Sequence, residues 1–356
     1  MSQRFYHILG ADIPHHNRTV LAFFQQQILP KLNEQQHHFY VVGNRELSAQ
    51  FPALALKVFS SKKAIAKAVI QQAKQEPCGR FLLHGQFNLW LWLAILTGKL
   101  PACRCIWHVW GADLYQDSPR WQFKLFYPIR RLAQRKLPEI WATRGDLAYA
   151  KQHLNRTGVR DRVIYFPTHM PQTPILQAQK PTEYPLTVLL GNSGDRSNRH
   201  LLALTQLKRQ LGDQIKIIIP MGYPLQNQDY IKEVQHVARQ LFPQGQVEIL
   251  THSLAFADYL ILLSRCDLGY FAFKRQQGIG TICLLTALNI PVALSKENPF
   301  CMDMQEEAVP FLDTKRLDFA QISRTARALA QKDKAEIAFF PQQYQLQWLS
   351  AFTEVV

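Results

Sequence analysis

The sequence predicts an α/β protein made of two doubly wound, Rossmann-like domains. Three observations carry that expectation. Apolar, strand-like runs alternate with helix-like runs from residue 5 to residue 295, the pattern of repeated βα units around parallel sheets. Five prolines between residues 167 and 185 interrupt the alternation once, where neither a helix nor a central strand can continue. The chain has 356 residues, 47% of them hydrophobic, enough for two cores of ordinary size.

In the first half, strands are expected at 5–9, 39–42, 81–84, 105–109 and 139–142. Helices are expected at 18–33, 62–75, 88–98, 119–136 and 146–154. The proline-rich stretch reads as a linker over 171–185, separating a first domain, 1–170, from a second, 186–339. The second domain repeats the alternation, with strands at 186–190, 215–219, 246–249, 268–273 and 291–295. Its helices are expected at 197–211, 227–241, 255–264 and 280–289. The tail, 340–356, spaces Tyr344, Leu346, Trp348, Leu349 and Phe352 as an amphipathic helix that closes back. Two such domains facing a cleft suggest the GT-B architecture, with ligands at the carboxyl ends of the strands.

No run approaches 18 consecutive apolar residues, so no membrane-spanning helix is expected. The first 20 residues hold Asp12, Pro14 and three histidines and do not read as a secretory signal. The six cysteines form no Cys-x-x-Cys pair and no His/Cys cluster, which favours a reducing compartment and gives no zinc site. The net charge of +15 is uneven: residues 1–170 hold 23 Lys and Arg against 9 Asp and Glu. A basic domain can meet nucleic acid, an anionic membrane or an anionic substrate. No nucleic-acid-binding module is recognisable, and no nucleic-acid partner is expected. The competing readings are a nucleic-acid-binding protein and a non-catalytic membrane adaptor.

The stretch 276–299 holds the most specific signal. A strand runs into a turn with Gln277, Gly278, Gly280 and Thr281, followed by a helix. Free N–H groups and the positive end of the helix dipole there suit a phosphate, and glycine admits close approach. An ordinary tight βα turn gives the same pattern. Gly191, Asn192, Ser193, Gly194 and Arg196 follow the first strand of the second domain and suit a diphosphate, with Arg196 neutralising its charge. Tyr223, after the next strand, could stack on a base or form part of a rigid turn.

In the first domain, Asp12, His15, His16 and Arg18 follow strand one. His84 and Asn88, His108 and Asp113, and Arg144 and Asp146 end three later strands. Asp12, His16 and Asp113 are the candidates for the base that deprotonates an acceptor hydroxyl. The others are candidates for the acceptor side. No aspartate has another two residues on, so a metal-bound diphosphate of the Asp-x-Asp kind is not expected, and no cofactor or metal is called for. Residues 118–137 carry Arg120, Lys124, Arg130, Arg131, Arg135 and Lys136, with no acidic residue and with Trp121 and Phe126 interleaved. This reads as an interfacial membrane segment or as a core helix with a solvated basic face.

The blocks Asp12-Ile13-Pro14-His15-His16-Asn17-Arg18, His84-Gly85-Gln86-Phe87-Asn88 and Trp107-His108-Val109-Trp110-Gly111-Ala112-Asp113 belong to one larger set. With Thr143-Arg144-Gly145-Asp146, Gly191-Asn192-Ser193-Gly194-Asp195-Arg196, Pro220-Met221-Gly222-Tyr223-Pro224 and Arg275-Gln276-Gln277-Gly278-Ile279-Gly280-Thr281, they resemble the TDP-N-acetylfucosamine:lipid II N-acetylfucosaminyltransferases along nearly the whole chain. The resemblance implies a glycosyltransferase of enterobacterial common antigen synthesis, and the missing Asp-x-Asp pair makes it metal-independent by expectation. Its donor would be TDP-4-acetamido-4,6-dideoxygalactose, a substrate rather than a cofactor. Its acceptor would be an undecaprenyl-diphosphate disaccharide. It also implies a peripheral enzyme on the cytoplasmic face of the inner membrane.

Overall fold

The computed structural model describes residues 3–32, 36–117, 121–171, 186–224 and 226–353. Most of the expected linker, 172–185, and Arg120 of the expected membrane segment lie outside them. The described residues fall into two compact units. Unit 1 comprises Met1–Pro167 with Pro341–Val356, and unit 2 comprises Thr168–Phe340.

Unit 1 holds β1 (Phe5–Leu9), β2 (His37–Val42), β3 (Ala55–Phe59), β4 (Arg80–His84), β5 (Cys105–His108), β6 (Glu139–Ala142) and β7 (Arg162–Val163). They form one sheet in the order β3-β2-β1-β4-β5-β6-β7, and neighbouring strands pair in parallel. Helices α1 (Pro14–Phe23), α2 (Leu47–Gln50), α3 (Lys62–Gln75), α4 (Leu89–Leu96), α5 (Trp121–Arg135) and α6 (Arg144–Leu154) connect them. Side-chain caps fix several starts. Ser61 accepts from Ala64 N–H, Asn88 from Trp90 N–H and Thr143 from Asp146 N–H, each satisfying a donor that the first turn leaves free.

Unit 2 holds β8 (Leu186–Leu190), β9 (Ile215–Pro220), β10 (Val247–Leu250), β11 (Leu268–Phe271), β12 (Val292–Leu294) and β13 (Leu312–Asp313). Their order is β10-β9-β8-β11-β12-β13, again with parallel pairs. The helices are α7 (His200–Leu211), α8 (Gln228–Leu241), α9 (Phe256–Ser264), α10 (Ile279–Ala287), α11 (Phe300–Glu306) and α12 (Phe319–Gln331). Each sheet reverses direction of growth once, between β1 and β4 and between β8 and β11. At such a switch point the loops diverge and leave a crevice. The last helix, α13 (Pro341–Thr353), returns to unit 1. Trp348 is fully buried there and donates its Nε1–H to the Tyr165 carbonyl at 3.0 Å.

Several boundaries differ from the expectation. The helix expected at 18–33 starts at Pro14, because proline at the first helical position needs no N–H partner. It then widens into a π-helix over Phe24–Ile28 and tightens into a 3-10 turn. The strand expected at 268–273 ends at Phe271. The expectation lacked α2, β3 and β7, and everything between β12 and α13.

Candidate active site

In unit 2 the loops after β8 and β11 meet across the switch point through side chains. Gln277 is the hub. Its Oε1 accepts from Ser197 Oγ at 2.8 Å and from Arg275 Nε at 2.9 Å, and its Nε2 donates to Asn192 Oδ1 at 3.4 Å. Arg275 also donates to Ser197 Oγ at 3.3 Å and lies 3.8 Å from the Asp195 carboxylate. Asn198 braces the other side of the loop, donating to Ser193 Oγ and accepting from Asn192 N–H. Backbone must pass closely at two glycines. A Cβ on Gly194 would stand 1.9 Å from Asn227 Nδ2, and Gly278 has φ +67° with Asn192 against it. Gly278 caps α10 in the left-handed conformation. The first-turn N–H groups of Ile279, Gly280 and Thr281 therefore point out of the helix with no intrahelical acceptor, at its positive end. Of the expected donor residues, Gly191, Asn192, Ser193, Gly194 and Gly278 share this loop network, and Gly280 and Thr281 follow in the first turn of α10. Tyr223 is half exposed after β9, and its carbonyl accepts from Gly194 N–H.

Two donor-side expectations change. Arg196 turns away from the crevice: it pairs with Glu233 at 2.8 Å, lies over the Tyr230 ring and is largely exposed. Arg275 is the guanidinium built into the loops, and sequence reasoning left it out of the site. Gln277 spends its amide on holding the two loops together, so it shapes the crevice.

In unit 1 the loop after β1 presents Asp12, and the start of α1 presents His15 and Arg18, at the surface. Asn17 holds that loop by donating to the Ala11 and Val42 carbonyls. His16 is set against the rings of Trp110 and Phe166, and burial lowers its pKa to about 3, so it is neutral.

Asp113 does different work from the base expected of it. It is fully buried. Its Oδ2 accepts from Trp107 Nε1 at 2.7 Å and Gln86 N–H at 2.9 Å, and its Oδ1 accepts from Trp110 N–H at 2.9 Å. Burial pushes its carboxyl up, while these donors and the nearby Arg130 charge pull it back. It pins the loops after β4 and β5. Asn88 is likewise committed, donating to the Gly10 and Lys62 carbonyls and capping α4. Asp146 is buried and accepts from the Tyr115 hydroxyl. Arg144 opens α6 beside it.

His84 and His108 belong to a buried row of imidazoles rather than to an acceptor surface. His37 Nδ1 lies 3.0 Å from His7 Nε2. His7 Nδ1 lies 3.0 Å from His84 Nε2, and His84 Nδ1 lies 3.2 Å from His108 Nδ1. The row crosses β2, β1, β4 and β5 on one face of the sheet. Phe24, Trp348 and Phe352 cover it. Each contact needs one N–H and one lone pair, and four neutral rings satisfy all three contacts when their N–H groups point one way along the row.

The α5 helix divides its residues more sharply than its sequence suggests. Trp121 and Leu125 are each 68% exposed, and Phe123, Ile129 and Leu132 are also exposed. Lys124, Arg135 and Lys136 flank them. Arg130, expected among the surface cations, is buried. It donates to the Leu114 and Tyr115 carbonyls and lies over the Tyr127 ring. Phe126 packs on the core, and Arg131 donates to the His153 carbonyl. Among the described residues no helix is long and apolar enough to cross a membrane, and no group of three or more His, Cys, Asp or Glu could hold a metal ion.

Solved structures with the same fold are numerous. A glycosyltransferase from Rickettsia africae superposes with a TM-score of 0.66 at 12% identity, covering 100% of both chains. Anabaena Alr3699/HepE in complex with UDP-glucose superposes at 0.62 and 14% identity, covering 99% of this chain and 98% of that one. A UDP-forming trehalose-phosphate synthase from Burkholderia vietnamiensis gives 0.56 at 11% identity, covering 99% and 96%. Two doubly wound parallel sheets with these neighbours define a protein of the GT-B class. The chain belongs to the 4-alpha-L-fucosyltransferase family, glycosyl transferase group 56, whose family model matches residues 1–356. It is a glycosyltransferase.

Proposed function

We propose that this glycosyltransferase moves 4-acetamido-4,6-dideoxygalactose from its TDP donor to an undecaprenyl-diphosphate-linked disaccharide, the lipid II of enterobacterial common antigen. The observation that carries the reading is the set of glycine-bearing blocks at strand ends in both halves of the chain. Those of the second half converge on the β8/β11 switch point. The likeness to HepE, whose structure contains UDP-glucose, supports a nucleotide-sugar donor in unit 2. The diphosphate lies at the start of α10, where the helix dipole, free N–H groups and Arg275 offset the charge of the departing nucleotide without a divalent ion. Asp12 is the exposed candidate for the base on the acceptor side, with His15, His16 and Arg18 beside it.

Donor binding is testable by calorimetry with TDP. Arg275→Ala removes a charged hydrogen bond of about 1.5–3 kcal/mol and should weaken TDP about 10–100-fold. Arg196→Ala should change it by less than about threefold, as expected of an exposed ion pair. Affinity should be the same in EDTA. Unchanged TDP affinity in Arg275→Ala, or a requirement for added magnesium or manganese, would overturn this part of the reading.

A polyprenyl acceptor is fixed in the bilayer, and the enzyme must reach the surface. The exposed face of α5 fits that task as a peripheral attachment on the cytoplasmic side of the inner membrane. Aromatic and aliphatic side chains there can insert, while Lys124, Arg135 and Lys136 meet anionic head groups, each cation contributing about 1 kcal/mol. Cosedimentation with phosphatidylglycerol-containing vesicles should fall with salt. It should be lost in Leu125→Asp/Leu132→Asp with TDP binding intact. Full vesicle binding by that variant would place the contact elsewhere.

A further inference from the structure

We propose that Tyr259 is a positioning residue for the donor, acting through the hydroxyl of Thr281. The inference rests on the proposed phosphate site at the start of α10. Thr19, Thr205 and Thr325, each inside a helix, donate to the carbonyl four residues back. Thr281 stands in the first turn of α10, where that habit fails, because the residue four back, Gln277, precedes the Gly278 cap. Its oxygen is held from outside the helix, 2.9 Å from the Tyr259 hydroxyl of α9.

Either hydroxyl can donate in that bond, and we assign the donor role to Tyr259. A hydroxyl carries one proton and accepts through its lone pairs. Burial pushes the Tyr259 phenol up to about 12, so it keeps its proton and can donate. When Tyr259 donates to Thr281 Oγ1, the Thr281 proton is left to point toward the crevice, alongside the first-turn N–H groups. The result is one more oriented donor for a diphosphate oxygen. The aromatic ring sets its rotamer, so the threonine need not be ordered when the nucleotide arrives. Tyr259 touches no part of the donor. It acts only by fixing which way the Thr281 O–H faces.

A double-mutant cycle read by TDP calorimetry and donor KM tests this. Thr281→Ala should weaken TDP about tenfold, and Tyr259→Phe about three- to tenfold, with the melting temperature close to that of the unmodified protein. Thr281→Ser should bind nearly as well as the parent. The decisive result is non-additivity: in the Thr281→Ala background, Tyr259→Phe should have no further effect. A Tyr259→Phe loss of equal size in both backgrounds, or no loss while Thr281→Ala weakens binding, overturns the positioning role and leaves the donor site standing. No effect of Thr281→Ala overturns this inference, and the donor-site reading falls only if Arg275→Ala leaves TDP affinity unchanged as well.

Discussion

Acidification from pH 7.5 to 5.5 should lower the stability of unit 1 by on the order of several kcal/mol, a sizeable part of the whole stability of a typical domain. Five histidines carry the effect: the four buried in the row, and His16 against Trp110 and Phe166. Burial lowers the pKa of His37 to about 4 and of His16 and His108 to about 3, and holds His7 and His84 well below the ordinary value. In the unfolded chain the same rings titrate near 6.5. Below that pH the unfolded state therefore binds protons that the folded state refuses. The sign is fixed: stability is level above about pH 6.5 and falls as pH drops. The loss is about 1.4 kcal/mol for each histidine per pH unit, until the folded-state values are reached. The groups facing the row include Phe5, Phe24, Phe39, Trp110, Phe166, Trp348 and Phe352, and the neighbouring charge-bearing group is His38, of like sign. None can neutralise an imidazolium. All seven tryptophans belong to unit 1, so urea melts followed by tryptophan fluorescence read this unit alone. An unchanged midpoint between pH 7.5 and 5.5 would contradict the buried, neutral row.

The second large effect is expected at Asp113. Removing its carboxylate in Asp113→Ala leaves the Gln86 and Trp110 N–H groups and Trp107 Nε1–H without an acceptor, and leaves buried Arg130 without its nearest negative charge. The loss should be about 3–5 kcal/mol, the range for breaking a buried charged network from one side. Asp113→Asn should fare only a little better, because its NH2 would face a donor. TDP affinity should be preserved in whatever folds, since the nucleotide is assigned to unit 2. If Asp113→Asn melts like the parent but loses turnover by about 10²-fold or more, Asp113 is a base after all.

The sequence and the structure part company at particular residues. The βα alternation was legible because strands and helices here have clean boundaries in composition, and strands such as Phe5–Leu9, Glu139–Ala142 and Leu186–Leu190 stand where they were expected. The edge strand β3 was missed because its alternation includes Lys57 and leaves Ala55 exposed, so it reads as polar loop. Helix α12 was missed although its start was signalled: Asp318 caps it by accepting from Gln321 N–H.

The histidine row could not be read locally. Its four members lie on four strands, and only the order β2-β1-β4-β5 brings them together. His84 and His108 looked like site residues because they end strands. Which face a strand-end side chain takes depends on the register of the whole strand. Arg130 was within reach. With Tyr127, Ala133, Gln134 and Leu137 it keeps a three-to-four-residue spacing that marks the inward face of α5, while the run of cations drew attention to charge alone. Arg275 and Arg196 could not be separated without the turn geometry that aims one into the loop network and the other toward Glu233.

The central claim is the transfer itself, and one assay addresses it directly. The purified protein, with polyprenyl-diphosphate disaccharide in detergent and TDP-4-acetamido-4,6-dideoxygalactose, should yield the trisaccharide lipid and one equivalent of TDP. Product can be followed by mass spectrometry of the lipid. Asp12→Asn should slow the reaction about 10²–10⁴-fold, as expected for loss of a general base. No trisaccharide lipid from this pair, with robust transfer from a nucleotide-linked fucose to another acceptor, would contradict the account.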